Sequence, residues 1–96
     1  MSRYTGSAER QKLIALLRDV RTEAGLRQED LAKKLKQSQS FVSKYESGER
    51  RLDLLELKQI CRAVGLTLSE FVRRFEGLSE ATQEIPKAAK TFLGKR

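Results

Sequence analysis

Gln39, Ser40, Ser43 and Lys44 lie close together in the segment QSQSFVSKYE. They are the side chains of this chain best suited to reading a hydrogen-bonding surface. Glutamine can bond adenine in two places, lysine can donate to guanine, and serine adapts to either. Helical spacing puts them on one side. With Gln39 set at 0° and about 100° per residue, Ser43, Ser40 and Lys44 fall near 40°, 100° and 140°. Val42 and Tyr45 fall near 300° and 240°, so the inner face is centred near 270°, almost opposite Ser40. Phe41 lies to the side, where it could touch a thymine methyl, border the nucleic-acid backbone, or pack beside the preceding helix. The bland alternative is an ordinary amphipathic helix with a solvated polar face.

A helix this short is not stable alone and needs docking partners. The spacing predicts a helix from Gln28 to Leu35, with Leu31, Ala32 and Leu35 on one face, then a turn at Lys36, Gln37 and Ser38. Ser38 is a candidate cap for the next helix, about Gln39 to Ser47, which ends at Gly48. Upstream, Ser7 can cap a helix in which Leu13, Leu17, Val20 and Ala24 recur at helical spacing, supported by Ile14 and Leu16 and stopped at Gly25. Downstream, Asp53-x-x-Glu56 and Thr67-x-x-Glu70 are capping boxes. The first opens a helix with Leu54, Leu57, Cys61 and Val64 on a stripe, Ile60 beside it, and Gly65 as its stop. The second opens one with Leu68, Phe71, Val72 and Phe75 apolar and Gly77 as its stop. No segment alternates like a strand. The fold expected is all-α: a compact five-helix domain over residues 7–77, preceded by a polar arm (1–6) and followed by a C-terminal tail (78–96) split by Pro86.

Composition bounds the function. Ninety-six residues suit one small domain. The net charge of +7 favours polyanionic partners. It is unevenly spread: +2 over 1–26 (5 − 3), +3 over 27–52 (7 − 4), 0 over 53–77 (4 − 4) and +2 over 78–96 (4 − 2). The surplus is thus largest over the helix pair. One cysteine and no histidine allow no internal disulfide and argue against structural zinc, so no metal or other cofactor is expected. Cys61 reads as a core residue, with a redox sensor as the alternative. Glu70 and Glu76 have no companion histidine, and no phosphate loop or nucleophile motif is present, so an enzyme is not expected. With no apolar run long enough to span a bilayer and no signal-peptide core, the expected location is cytoplasmic, associated with the nucleoid when DNA is bound.

At this point the chain is identified as resembling the XRE family, the helix-turn-helix class of the phage Cro and lambda-type repressors. The segments GLRQEDLAKKL, SQSFVSKYESGERRLDLLELKQICRAVGL and LSEF carry the resemblance, over about residues 8–76. It implies that the third helix lies in the major groove of double-stranded DNA, with Gln39, Ser40, Ser43 and Lys44 at the bases. It also implies backbone contacts. Gln28 would bond a phosphate and brace Gln39, and Arg50 would meet a phosphate, with Arg51 weaker. Arg27 and Lys36 are further candidates, or are simply solvated. Arg21 and Glu46 resemble a pair that joins the first helix to the third. The fifth helix, through Phe71, Val72 and Phe75, would supply a homodimer surface, giving a repressor on an inverted repeat with half-sites about 34 Å apart.

Two departures stand out. Arg27 occupies the helix-capping place where the family often has Thr or Ser, which loses a cap worth about 1 kcal/mol and puts a cation at a helix N-terminus. Lys36 stands where the turn often has Gly, so a left-handed backbone there would be mildly strained. The tail is read as a frayed extension, as an arm docking on its own or a partner subunit, or as a membrane-surface segment. Alternative functions on the same fold are a protein-interaction module without specific DNA recognition, and an antitoxin-type protein whose partner binds the tail.

Overall fold

The computed structural model describes residues 7–80, with side chains as far as Gly77. The expectations for the N-terminal arm and for 81–96 lie outside the described residues. Five helices follow in order: α1 (Ala8–Glu23), α2 (Gln28–Leu35), α3 (Gln39–Glu46), α4 (Leu54–Ala63) and α5 (Leu68–Glu80). No strand occurs among the described residues.

Local chemistry sets the boundaries. The Ser7 and Ser38 hydroxyls accept from the N–H groups of Arg10 and Phe41, opening α1 and α3. Both predicted capping boxes form. The Glu56 and Glu70 N–H groups donate to Asp53 and Thr67 side chains at 2.8 and 3.0 Å, and the two glutamates accept in return from the Asp53 and Thr67 N–H groups. Helix α5 runs through Gly77 to Glu80 rather than stopping. Glycine ends a helix by turning left-handed, and Gly77 does not: the positive-φ glycines are Gly25, Gly48 and Gly65. Inside a helix it weakens the segment without terminating it.

The core is drawn from all five helices: Leu16, Leu17 and Val20 of α1, Leu31 and Ala32 of α2, Val42 and Tyr45 of α3, Ile60 and Cys61 of α4, and Phe71 of α5. Cys61 is a buried free thiol, and burial pushes its pKa up to about 11. It is therefore a packing residue with little thiolate character. Leu54, expected on the α4 stripe, is 64% exposed. It is the first residue of α4, where the helix has not yet come under its neighbours, so the buried stripe begins at half-buried Leu57 and centres on Ile60 and Cys61. Helix α2 packs on α3 and α4, α1 on α3 and α5, and α4 on α5, so α3 is held from two sides.

Two helix ends show how backbone conformation is matched to sequence. Lys36 closes α2 at φ 58° and ψ 42°, the left-handed geometry anticipated for that turn. Its neighbour Gln37 donates back to the Ala32 carbonyl at 2.9 Å. Gly48 follows α3 at φ 87°, and a Cβ there would lie 3.0 Å from Ile14 Cδ1. The same conformation predicts substitutions of opposite sign. Lys36→Gly relieves left-handed strain at some cost in unfolded-state entropy and should stabilise by about 0.5 kcal/mol. Gly48→Ala adds both strain and a clash and should destabilise by about 1–3 kcal/mol. Urea unfolding of both variants checks this; a midpoint that moves the same way in both contradicts it.

Candidate nucleic-acid interface

The four side chains predicted to contact bases lie together on the outer side of α3. Gln39, Ser40, Ser43 and Lys44 are all exposed on α3, while Val42 and Tyr45 on the opposite side are buried. Dipole and capping also favour an anion near the tip: no acidic residue lies in the first turn of α3.

What holds this helix is a carboxylate. Glu46, the last residue of α3, is 2% exposed, yet it carries a formal charge. Such a group must be paired. Arg21 of α1 supplies a two-pronged bond, Nε to Oε2 at 2.7 Å and Nη2 to Oε1 at 3.0 Å. Gln28 of α2 donates Nε2 to Oε1 at 3.0 Å. Arg18 approaches Oε1 at 3.9 Å and donates Nη2 to the Glu46 carbonyl at 3.4 Å. Arg21 also donates Nη1 to the Leu26 carbonyl in the α1–α2 connection. The bonds from Glu46 raise the Arg21 pKa against the opposing effect of burial. One carboxylate thus joins α3 to both preceding helices. The family-type pair is present, with the Glu46 side chain buried and that of Arg21 12% exposed. Arg18 was not singled out from sequence; its place one turn before Arg21 on α1 was the available signal.

Several backbone-contact candidates have partners within the chain. The Gln28 amide is on Glu46, so bracing of Gln39 would compete with that bond. Arg27 does not cap α2, because arginine has no acceptor atom. Instead its N–H donates to Asp30 Oδ2 at 2.8 Å, and its guanidinium pairs with Asp30 and Glu29. These first-turn acids offset the cation at the helix N-terminus. The Arg27 side chain and N–H hold the Asp30 carboxyl down at about 2. Lys36 is exposed in the left-handed turn.

Arg50 follows α3 in the loop and is docked on three groups. Its guanidinium bonds Glu56 at 3.1 and 2.9 Å, the Arg51 carbonyl at 3.0 Å, and sits 4.8 Å over the Phe41 ring. Phe41 in turn meets Tyr45 edge-on, with centroids 5.5 Å apart. Phe41 is half-buried and serves as a platform, its sideways placement having pointed to packing as one option. Arg10 of α1, absent from the sequence-based candidates, donates to the Gly48 carbonyl at 2.7 Å and ties down the start of the same loop. Arg51 is exposed beside it. Of the residues named for a dimer surface, Phe71 is buried in its own chain's core, Phe75 is half-buried, and Val72 is 39% exposed.

Five packed helices, with a tightly turned pair that presents an exposed polar face on its second member, define a helix-turn-helix domain of the DNA-binding class. The Helix-turn-helix family model matches residues 17–71, and the chain belongs to that family, in its XRE branch. An XRE-family like protein from Pseudomonas syringae pv. tomato is similar at 41% identity and TM-score 0.69, over 74% of this chain and 87% of that one. The clp gene regulator ClgR from Corynebacterium glutamicum is similar at 27% identity and TM-score 0.67, over 93% and 89%. A mutant of the restriction–modification controller protein C.Esp1396I is similar at 25% identity and TM-score 0.68, over 82% and 98%. No curated protein sequence matches the chain.

The clamp yields a prediction. Glu46→Ala leaves Arg21 buried and unpaired and should cost about 3–5 kcal/mol, whereas Glu46→Gln, keeping the shape, should cost less. Near the DNA-bound state both variants should also lose affinity, although Glu46, buried among α1 and α2, has no path to a base. Melting and DNA titration check this, and an unchanged melting temperature with unchanged affinity in Glu46→Ala contradicts the clamp.

Proposed function

We propose that the protein is a sequence-specific regulator of transcription, a homodimeric repressor that reads an inverted repeat in double-stranded DNA through the major groove. The observation that carries this is the division of α3: a reading face of Gln39, Ser40, Ser43 and Lys44 opposite a face locked by Val42, Tyr45 and Glu46. The likeness to a clp gene regulator and to a restriction–modification controller protein supports a regulatory role. One short helix spans only a few base pairs, so a two-fold dimer on paired half-sites is the physically sensible reader.

The charges divide by role. Lys44 and Gln39 reach base edges, where hydrogen-bond patterns differ between base pairs. Arg50 and Arg51, with Gln28, Lys36 and Arg27 at the turn and α2 start, meet the sugar–phosphate backbone. There they add affinity by releasing counterions but carry little sequence information. Phe41 borders the backbone by seating Arg50. The Glu56 and Phe41 contacts make Arg50 a pre-positioned cation, so less side-chain freedom is lost when phosphate arrives. For DNA to use it, the guanidinium must share or exchange its Glu56 bond. The antitoxin and interaction-module readings both rest on the tail or on the absence of base selectivity, and no described contact favours either.

Lys44→Ala should relax base preference at one position of each half-site by about 1–3 kcal/mol. Arg50→Ala should weaken binding to all sequences alike and lower the slope of log affinity against log salt by about one. Titrations of matched and single-mismatch duplexes at several salt concentrations separate the two effects. Equal loss of sequence preference in both variants contradicts this division of roles.

A further inference from the structure

The described surface carries an apolar feature apart from the proposed reading face of α3. Leu54 and Leu55, side by side in the first turn of α4, are 64% and 70% exposed. Beside them a pocket of about 330 Å³ opens between α1, the end of α3 and the loop before α4. Leu13, Ile14 and Leu17 of α1 and Leu52, Leu54 and Leu57 form its apolar walls, and Arg10, Arg50, Arg51 and Asp53 line it as well. Each chain therefore bears an apolar projection and an apolar recess next to each other on one face.

We propose that this face is where a second copy of the chain docks, with Leu55 of each protomer seated in the recess of the other. The proposal rests on the dimeric reading above and says where the two chains meet. Three observations select a second copy as the occupant. First, projection and recess are complementary within one chain. Because they are adjacent, a two-fold axis between them satisfies both at once and closes the assembly at two. Second, the surrounding polar residues carry both signs: Arg51 and Asp53 lie before the leucines and Lys58 one turn after them. A two-fold axis sets such a rim against its own opposite charges, whereas a rim of one sign would call for a partner of the other sign. Third, the competing surface is poor. On α5, Phe71 is in the core, and Val72, 39% exposed, has only half-buried Leu68 and Phe75 beside it on its face of the helix, so less apolar side chain projects there than at Leu54 and Leu55. The α4 face also adjoins the loop that holds Arg50, so dimer contact and backbone contact share one structural unit.

The test is sedimentation of the full chain and its Leu55→Asp, Leu55→Ala and Val72→Asp variants across a concentration range. Leu55 is exposed in the first turn of α4, where an aspartate suits the helix dipole, so Leu55→Asp should fold as the parent does, a point that circular dichroism checks. Each dimer loses two buried leucines in that variant, which should raise the dissociation constant by about 100-fold or more. Leu55→Ala should give a smaller rise and Val72→Asp essentially none. A dimer that survives Leu55→Asp but dissociates in Val72→Asp overturns the α4 surface while leaving a two-fold regulator intact. A parent chain that is monomeric both free and on DNA overturns the surface and the two-fold reading together. Growth beyond two chains would mean that projection and recess join head to tail, and would overturn the closed pairing.

Discussion

The charge of Glu46 is the constraint around which this domain is arranged. A carboxylate 2% exposed is tolerated only with its lone pairs occupied, and the occupants come from α1 and α2. Hydrophobic contacts from Val42 and Tyr45 attach α3 to the core but permit small rotations, because apolar packing has little directionality. The two-pronged Arg21 bond does not permit them: its geometry fixes both the distance and the plane of the two groups. An ion pair of this kind adds little net stability over apolar packing. Its consequence is orientation, and orientation is what a reading helix needs.

The loop that leaves α3 is secured by a second set of contacts, each using a group already employed elsewhere. Glu56 caps α4 and at the same time receives Arg50. Gly48 brings the chain so close to Ile14 that a Cβ would lie only 3.0 Å from its Cδ1, and its carbonyl receives Arg10. Phe41 lies between, covering Tyr45 on one side and supporting Arg50 on the other. The proposed reading face and the loop proposed to meet phosphate are thus mounted on one support, an arrangement in which backbone contacts would set the register in which bases are read.

Much of this was legible in the residues themselves. Helix order, both capping boxes and the inner pair Val42 and Tyr45 all depend on neighbours within a turn or two, and local spacing carries that information, whereas the left-handed Lys36 was anticipated from the family resemblance. The family resemblance added the Arg21–Glu46 pair. Other features depend on where distant elements come to rest. Leu54 matches the α4 stripe in phase but stands at the open edge of a pocket beside α1 rather than under it, so it is exposed. Gly77 looks like a stop, but only its backbone conformation decides, and it is helical. The engagement of Gln28 by Glu46, and of Arg50 by Glu56 and Phe41, joins residues whose types alone suited phosphate equally well. Phe71 shares an apolar phase with Val72, yet only Phe71 turns fully inward.

The central claim is that an oriented α3 reads a defined sequence from two half-sites. Selection of the full chain against a random pool of double-stranded DNA, at about physiological salt, tests it most directly. The account predicts enrichment of an inverted repeat with half-site centres about one helical turn, or roughly 34 Å, apart. Binding that falls steeply with salt and enriches no sequence would contradict it.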